Sequence, residues 1–282
     1  MKVICVSGYK NTGKTTLVTC LVKALSAKGS VGTVKQMFHH RFNPEGTDTG
    51  KHFDAGADAV VAMTDSELVT IKRDHDSSVQ EALDTLADAG MDFAIVEGAK
   101  SSTLPKIFLG DIEDGADISN VVKQLPAKAD WDVDSLVELV LMQDEWVTLT
   151  MLVRKIRSNP DIKMSGGIAT FTGVVRKITD NVETTAIDFE KYEGVADKAI
   201  ENICNELRTR ENVIDVLIHH KSGLIKVGGD IVYIVVAAQR RKELFATLID
   251  ALEMVKDDVP IWKKEYTIDG DFWVHDQEHG SI

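Results

Sequence analysis

Residues 2–16 read KVICVSGYKNTGKTT. An apolar run rich in β-branched residues ends in Ser7 and Gly8, and the pattern G-x-x-x-x-G-K-T then opens a helical segment. Glycines in such a loop let backbone N–H groups wrap around phosphate oxygens, and the helix N-terminus directs its partial positive charge at them. The order of strand, glycine-rich loop and helix therefore predicts a phosphate-binding loop.

This loop supplies the candidate residues for binding a nucleoside phosphate, which are Gly8, Asn11, Thr12, Gly13, Lys14, Thr15 and Thr16. Lys14 would reach the β- and γ-phosphates, and the Thr15 hydroxyl would ligate Mg²⁺. The alternative is a glycine-rich strand-to-helix turn that carries an ordinary surface lysine. The strand before the loop and the helix after it favour the nucleotide-binding interpretation.

Length and composition limit what the rest of the chain can be. The 282 residues suffice for about two domains of ordinary size. Hydrophobic residues make up 44% of the chain and charged residues 27%, a balance typical of globular proteins in water. The formal net charge of −13 argues against nucleic acid or an anionic membrane as a partner. An anionic small substrate would need a local basic pocket.

Targeting and redox signals favour a cytoplasmic protein. No apolar run approaches the roughly 18 residues of a membrane helix. The first residues lead straight into a strand, so we expect no signal peptide. Cys5, Cys20 and Cys204 are scattered through apolar segments, which favours buried thiols in a reducing compartment over disulfides or metal binding.

Strands and helices alternate through the first half of the chain, as in a doubly wound α/β sheet. The predicted elements are a helix over 13–29, strands over 31–35, 91–97, 104–109 and 118–122, a helix after a cap at Ser77 or Ser78, and a helix over 133–142 capped by Asp132. Glu97 ends the most apolar of these strands. Because ligands of such sheets lie at the carboxyl ends of the strands, Glu97 is expected beside the Mg²⁺ of the phosphate loop, with a solvated turn as the alternative.

Two shorter signals in this half are less specific. His39 and His40 could indicate a metal site, but sequence neighbours rarely face the same way, which favours an exposed or phosphate-contacting loop. Ala127, Lys128 and Asp130 partly match the N-K-x-D element with which GTPases bind guanine, but the leading asparagine is missing. The base specificity therefore stays open at the level of sequence.

Three further motifs accompany the phosphate loop in the first half, namely AGAD at 55–58, IVEGAK at 95–100 and LPKI at 104–107. With these motifs the first half resembles the molybdopterin-guanine dinucleotide biosynthesis adapter protein. The resemblance implies a P-loop domain over residues 1–143 that binds GTP with Mg²⁺, held by Thr15 and Glu97, and that assists a late step of molybdenum-cofactor assembly. It also allows a weak GTPase activity.

Beyond residue 146 the pattern changes to clusters of strands between helices. We predict helices over 195–208 and 240–256 and a mostly antiparallel sheet, with Trp262 packed into the core. Basic residues stand out against the acidic chain, namely Arg176, Arg240, Arg241, Lys256, Lys263 and Lys264. From charge spacing alone, a solvated helix face and tail is the simpler interpretation.

Three motifs stand out in the second half, namely GGIATFTGVVR at 166–176, SGLIKVG at 222–228 and PIWKKE at 260–265. With these motifs the second half resembles the large, catalytic subunit of molybdopterin synthase. The resemblance implies an α/β hammerhead fold over 147–282 and a homodimer. It also implies a small ubiquitin-like subunit, which inserts a C-terminal Gly-Gly thiocarboxylate into the active site. Sulfur would pass to cyclic pyranopterin monophosphate and give molybdopterin.

The resemblance assigns roles to individual residues. Lys256 and Lys263 fall on the family's essential lysines, and Arg176 and Arg241 fall on its substrate-binding arginines. Arg240 stands where the family usually has histidine. A permanent cation cannot accept a proton as imidazole does, so Arg240 is expected to bind the substrate's phosphate. A second, milder difference from the family begins at His220. Where the family commonly has His-Arg-x-Gly, this chain has His-Lys-Ser-Gly, so that lysine replaces arginine.

The sequence thus predicts a fusion of two proteins of molybdenum-cofactor synthesis. A rival interpretation is a non-catalytic, GTP-binding scaffold that only docks the small subunit, supported by the Arg240 departure alone. Another is a P-loop kinase acting on a small metabolite, for which no separate phosphoacceptor motif is present.

Overall fold

The computed structural model describes residues 1–37, 46–73, 78–179, 182–192, 194–268 and 270–274. The chain divides into two units, Met1–Trp146 and Val147–Ile282. His39, His40 and Ser77, which the sequence singled out, lie outside the described residues. None of the helices in the described part is long and apolar enough to cross a membrane. The three cysteines are free, with Cys5 and Cys204 buried.

The first unit contains a five-stranded parallel sheet. In chain order its elements are β1 (Lys2–Gly8), α1 (Lys14–Leu25), β2 (Val31–Lys35), α2 (Asp48–Asp54), β3 (Ala59–Met63), β4 (Leu68–Lys72), α3 (Val79–Ala89), β5 (Phe93–Glu97), β6 (Lys106–Leu109), β7 (Val121–Leu125) and α4 (Val133–Leu141). The strand order is β2-β5-β1-β6-β7, and β3 and β4 form a separate antiparallel hairpin. Apolar clusters lie on both faces of the sheet, with α1 and α4 on one face and α3 on the other. The predicted doubly wound sheet is therefore confirmed.

Local signals placed most ends of these elements. The side chain of Ser78 accepts a hydrogen bond from the Glu81 amide, and Asp132 caps α4 in the same way. The strand predicted over 118–122 is wrong by three residues, because Asn120 is in the left-handed region (φ +54°) and β7 begins only at Val121.

The two ends of the first unit are joined to each other. The Trp146 amide donates to the Met1 carbonyl at 2.8 Å, and the Met1 nitrogen donates to the Trp146 carbonyl at 3.2 Å. Lys2 and Glu145 form an antiparallel bridge beside this pair. The Trp146 indole is held by Asp84 at 2.8 Å.

The second unit contains two antiparallel sheets. Its elements are α5 (Leu149–Arg157), a 3₁₀ turn (Pro160–Met164), β8 (Gly167–Val174), β9 (Ile178–Thr179), β10 (Val182–Lys191), α6 (Val195–Arg208), β11 (Val213–His220), β12 (Gly223–Lys226), β13 (Asp230–Ala238), α7 (Arg241–Asp258), β14 (Ile261–Thr267) and β15 (Asp271–Val274). One sheet has the order β11-β13-β8, and the other has the order β12-β10-β14-β15 with β9 beside β10.

A single antiparallel sheet was therefore the wrong prediction. β12 lies between β11 and β13 in sequence but pairs with β10 in the other sheet. Gly223 and Gly228 both have positive φ, at +85° and +81°, which turns the chain out of the first sheet and back into it. The alternation of polar and apolar residues predicts a strand, but it does not show with which other strand that strand pairs.

β13 is the centre of the core, and its side chains alternate between two apolar clusters. Val232, Ile234 and Val236 belong to the cluster formed with α6 and α7. Tyr233 and Val235 belong to the cluster formed with α5. β13 is thus covered by helices on both faces.

Trp262 does not pack into the core, as the sequence analysis expected. Trp262 is 52% exposed, and the residue opposite it on β10 is Glu190, which is also exposed. The period of two on β14 instead directs Glu265 inward, where it is buried and accepts a hydrogen bond from the Thr184 hydroxyl.

Candidate functional site

The phosphate loop lies between the end of β1 and the start of α1. Gly13 caps α1 with φ +99°, a backbone conformation that favours glycine. Gly8 has φ +151°, and a Cβ there would lie only 2.7 Å from the Leu109 carbonyl oxygen. Asn11 is also left-handed, with φ +64°. These positions explain why the loop carries glycine and asparagine where it does.

Lys14 folds back over this loop. Its ammonium donates to the Tyr9 carbonyl at 2.5 Å, and the Thr12 hydroxyl donates to the same oxygen at 3.0 Å. Burial lowers the pKa of Lys14, the Glu97 carboxylate opposes this shift, and the cations Lys100 and Lys35 add to it. The Lys14 ammonium could therefore leave the Tyr9 carbonyl and donate to an anion in the loop, which is a stronger hydrogen-bond acceptor.

The structure brings Thr15 and Glu97 together. β1 and β5 are neighbours in the sheet, and their register pairs Val6 with Glu97. The Thr15 hydroxyl donates to Glu97 Oε1 at 2.8 Å, and Lys35 Nζ lies 3.4 Å from the same oxygen. The Glu97 side chain is only 12% exposed. A hydroxyl and a carboxylate at one point are the hard oxygen ligands that Mg²⁺ prefers.

Sequence reasoning missed Tyr9 and Lys100. A cavity of about 440 Å³ adjoins the phosphate loop, and Gly8, Tyr9, Gln36, Gly98, Lys100 and Asp117 are among its lining residues. Lys100 Nζ lies 4.5 Å from the centre of the Tyr9 ring, whose edge meets Phe108 at 5.8 Å between centroids. The sequence did carry a signal for a site role of Lys100, because Lys100 is the last residue of the IVEGAK motif at 95–100.

Lys106 was also missed, and it is fully buried at the start of β6. Its ammonium donates to three backbone carbonyls, those of Ser102 at 2.6 Å, Leu104 at 3.0 Å and Ser119 at 2.5 Å. Burial lowers the pKa of this lysine. The three contacts join the loop after β5 to the loop before β7. A charged residue inside an apolar strand was the available signal.

The segment after β7 contacts the phosphate loop from another side. The Lys128 amide donates to the Thr12 carbonyl at 3.0 Å. The Trp131 ring lies against Gly13, since a Cβ there would be 2.9 Å from the Trp131 ring carbon Cη2. The partial motif of Ala127, Lys128 and Asp130 therefore lies beside the loop, as a base-binding element would.

The candidate residues of the second unit are divided between two ends of the sheet. Arg240 and Arg241 are exposed at the start of α7, and Lys256 is in its last turn. At 1.5 Å per residue, Arg241 and Lys256 are about 22 Å apart along the helix axis. One chain therefore does not bring Arg241 and Lys256 together into a single cluster.

Arg176 lies at the lysine end. It follows β8, whose Val174 pairs with Asp230 at the start of β13. The start of α7 lies at the opposite end of β13, where Leu244 packs against Gly167. Because α7 runs back along the sheet, its end with Lys256 returns towards Arg176. Lys256 itself is exposed and pairs with Glu253 at 3.0 Å.

Lys263 is half-buried on β14, directly across from Phe189 on β10. The ring of His220 meets Phe189 edge-on at 5.3 Å between centroids, and His220 Nδ1 lies 2.7 Å from the Lys221 carbonyl. Burial lowers the pKa of His220 to about 4, and the charges of Lys191 and Lys263 add to this, while the hydrogen bond opposes it. A neutral imidazole thus lies near Lys263.

His219 is neutral for the same main reason. Burial lowers its pKa to about 3, with further lowering by Lys191, Lys221 and His220. In the sequence, His220 is recognisable only as the start of a modified motif. Its contact with Phe189 crosses between the two sheets and has no local sequence signal.

The fold and these two sites define a class of protein, a P-loop α/β domain followed by an α/β domain with antiparallel sheets. Two family models match the two halves: "Molybdopterin guanine dinucleotide synthesis protein B" over residues 3–124 and "MoaE protein" over residues 142–258. The "Probable molybdopterin synthase" of Haloferax volcanii is 37% identical over 275 residues, which are 96% of this chain and 99% of that protein. The chain belongs to the same family as this haloarchaeal protein, a fusion of both parts in molybdenum-cofactor biosynthesis.

Solved structures are similar to each half separately. Molybdopterin synthase from Staphylococcus aureus is 32% identical, covers 40% of this chain and 82% of its own, and has a TM-score of 0.38. A MobB protein homolog from Bacillus stearothermophilus is 24% identical, covers 51% of this chain and 100% of its own, and has a TM-score of 0.39. The family membership confirms the two resemblances and the two predicted fold classes.

Proposed function

We propose that the domain predicted over 147–282 is a molybdopterin synthase that transfers sulfur from a thiocarboxylated, ubiquitin-like small subunit to cyclic pyranopterin monophosphate. The observation that carries this proposal is the half-buried Lys263 of the P-I-W-K-K-E strand, near the neutral ring of His220. A partly desolvated lysine interacts strongly with an anion, because water screens its charge less. The thiocarboxylate is such an anion.

The lysines and arginines would act on different parts of the reaction. Lys263 and Lys256 would attack the thiocarboxylate carbonyl or move protons, and the arginines would hold the anionic pterin. As sulfur bonds to a side-chain carbon of the pterin, that carbon loses an oxygen substituent. The carbon–sulfur bond of the thiocarboxylate breaks when water attacks its acyl carbon, which returns the small subunit as a carboxylate and leaves the sulfur on the pterin. Two thiocarboxylates are consumed for each dithiolene.

The separation along α7 supports a homodimer through this domain. One chain places Arg240 and Arg241 about 22 Å from Lys256. A second copy could bring its arginines to the lysines of the first, so that each site uses both chains. Phe245 and Ile249, one turn apart on α7, are 56% and 61% exposed, which leaves an apolar strip for a neighbouring chain.

Mixing two inactive variants tests the shared site. Arg241→Ala and Lys263→Ala are each expected to lose sulfur transfer. In a symmetric dimer, random mixing gives half mixed dimers with one intact site each, so activity should return to about a quarter of wild type. If each site lay within one chain, the mixture would stay inactive.

The direct assay uses the full chain, the thiocarboxylated small subunit and the cyclic pterin, with molybdopterin as the product measured. A chain that binds the small subunit but forms no molybdopterin would support the non-catalytic scaffold instead. Arg240 in the usual histidine position is the observation that favours this second candidate.

We further propose that the domain predicted over 1–143 binds GTP with Mg²⁺ and assists formation of the guanine dinucleotide cofactor. The loop amides and Lys14 would hold the phosphates, and Thr15 and Glu97 would hold the metal ion, which would neutralise negative charge on the phosphates. Calorimetry of the full chain with GTP and Mg²⁺ tests this proposal, and absence of binding would refute it.

A further inference from the structure

A cavity of about 440 Å³ adjoins the phosphate loop, with Gly8 and Tyr9 of the loop in its wall. The Lys14 ammonium donates to the Tyr9 carbonyl, and the lysine of such a loop reaches the β- and γ-phosphates of a nucleotide. The cavity therefore lies at the end of the nucleotide that carries its terminal phosphate. Because small-molecule sites have volumes of ~300–1,000 Å³, there is room for a second ligand beside the nucleotide.

Positive charge is concentrated at this cavity, in a chain whose formal net charge is −13. Burial is the main cause that lowers the pKa of Lys14, and Lys100, which lines the cavity, adds to this together with Lys35. Lys35 is paired with Glu97, whereas the exposed Lys100 rests over the Tyr9 ring at 4.5 Å from its centre. A cation–π contact at an exposed site contributes only about 0.5–1 kcal/mol. An anion in the cavity is therefore a stronger partner for Lys100 than the ring is.

Tyr9 gives the cavity a flat aromatic wall whose position is fixed. Its ring makes an edge-to-face contact with Phe108 at 5.8 Å between centroids, and its hydroxyl accepts a hydrogen bond from the Glu113 amide at 3.1 Å. When Lys100 moves onto an anion, the face of the Tyr9 ring becomes available to the flat ring of a ligand. A cation beside an aromatic face thus favours a flat molecule that carries a phosphate.

The segment between β6 and β7 contributes carboxylates to the same cavity, at Glu113 and Asp117. The Glu113 amide holds this segment to Tyr9. A carboxylate repels a phosphate, but its two oxygens can accept two adjacent N–H donors together. A pterin phosphate has the complementary parts, because its 2-amino group and its N3–H are adjacent on a flat ring and its phosphate is on a side chain.

We propose that this cavity binds a pterin phosphate beside the nucleotide, with Lys100 on the phosphate, Tyr9 against the ring and Asp117 on the two N–H donors. This inference rests on the proposed binding of a nucleotide, and it names the second molecule that the domain holds. The sulfur transfer proposed for the second unit yields a molecule of this class. The first unit would therefore bind the product of the second unit next to GTP.

Equilibrium dialysis of the full chain, saturated with GTP and Mg²⁺, against the fluorescent probe 6-hydroxymethylpterin phosphate counts the pterin sites. Because the second unit is itself proposed to bind a pterin phosphate, the readout is the number of sites lost. Lys100→Met should weaken one site per chain at least about tenfold, as for one lost charge-assisted contact, and Tyr9→Leu should weaken the same site. Both variants should keep the wild-type affinity for GTP. Lys10→Met, at an exposed lysine next to Tyr9, is the matched control and should keep every site.

Two simpler anions test which parts of the probe are recognised. Phenyl phosphate has a flat ring and a phosphate but no N–H donors, so Asp117→Asn should weaken binding of the pterin phosphate and leave that of phenyl phosphate unchanged. Asp114→Asn, at an exposed acid in the same segment, is the control and should change neither. Inorganic phosphate should displace the pterin phosphate far less effectively than unlabelled pterin phosphate does.

The outcomes separate this inference from the proposal on which it rests. If the wild type bound no GTP, the nucleotide function itself would be wrong. If GTP bound but Lys100→Met and Tyr9→Leu kept every pterin site of the wild type, the cavity would not bind the pterin. A loss of GTP affinity in Lys100→Met would assign Lys100 to the nucleotide instead. If inorganic phosphate displaced the probe as well as the pterin phosphate did, the cavity would hold an anion alone.

Discussion

Replacing the buried Lys106 with methionine should destabilise the first unit strongly. Methionine keeps most of the apolar stem but cannot donate to the carbonyls of Ser102, Leu104 and Ser119. A fully buried carbonyl left without a donor costs about 1–3 kcal/mol. These three hydrogen bonds are only partly buried, and the Ser102 carbonyl also accepts from the Ser119 hydroxyl at 3.4 Å, so each loss lies towards the lower end of that range. Removing a desolvated ammonium offsets part of that loss. We therefore expect the free energy of unfolding to fall by about 3 kcal/mol.

Differential scanning calorimetry of the full chain measures this effect. The transition of the first unit is identified by its upward shift with GTP and Mg²⁺. For a unit of this size, a loss of 3 kcal/mol lowers the melting temperature by roughly 6–12 °C. Lys123→Met, at an exposed position on β7, is the control and should shift the transition little. If Lys106→Met melted within a degree or two of the control, the three hydrogen bonds would not hold these loops.

Three further predictions concern the two sites. Lys14→Ala should weaken GTP binding by ~1.5–3 kcal/mol in calorimetry. Lys10→Ala, at a position of the loop where the motif specifies no residue type, should change GTP binding little, and equal affinities of the two variants would refute the assigned phosphate contact. In single-turnover assays Lys263→Ala should abolish molybdopterin formation without unfolding the protein, and Lys264→Ala, whose ammonium pairs with Asp271, should be mild. Because the pKa of His220 is lowered from 6.5 to about 4, the unfolded chain binds a proton that the folded chain does not between these values, so stability should fall as the pH drops from 6.5 to 4. His219, whose pKa is lowered to about 3, adds to the same dependence. His220→Asn should therefore reduce the slope in urea titrations without removing it, and an unchanged slope would show that His220 is not buried as a neutral ring.

Local patterns were enough to place Thr15 beside Glu97. The phosphate loop fixes the first residue, and the end of an apolar strand fixes the second, since parallel neighbours end at one edge. The arginines and lysines of the second unit were assigned from a motif match, which carries no information on distance, although the helix predicted over 240–256 already separates Arg241 from Lys256. Arg241 and Lys256 belong to one long helix, and its length separates them.

The residues that sequence reasoning missed act through long-range contacts. Trp131 contacts Gly13, and Lys106 contacts Ser119, but neither pair can be recognised before the sheet order is known. Trp262 shows the opposite error, since a large aromatic residue was expected inside, and the period of two on β14 directs it outward.

The hydrogen bonds between Met1 and Trp146 hold the first and the last residue of the first unit next to each other. A unit whose two ends are adjacent can be fused to a second domain without distorting the fold of either domain. The order of the strands also affects folding on the ribosome, because β1, the middle strand of the sheet, is synthesised about 90 residues before its neighbour β5 and about 100 before its neighbour β6. The central strand β1 is thus synthesised first and pairs with its neighbours late. Until the unit is nearly complete, the nascent chain carries an unpaired apolar strand that must be kept from aggregating.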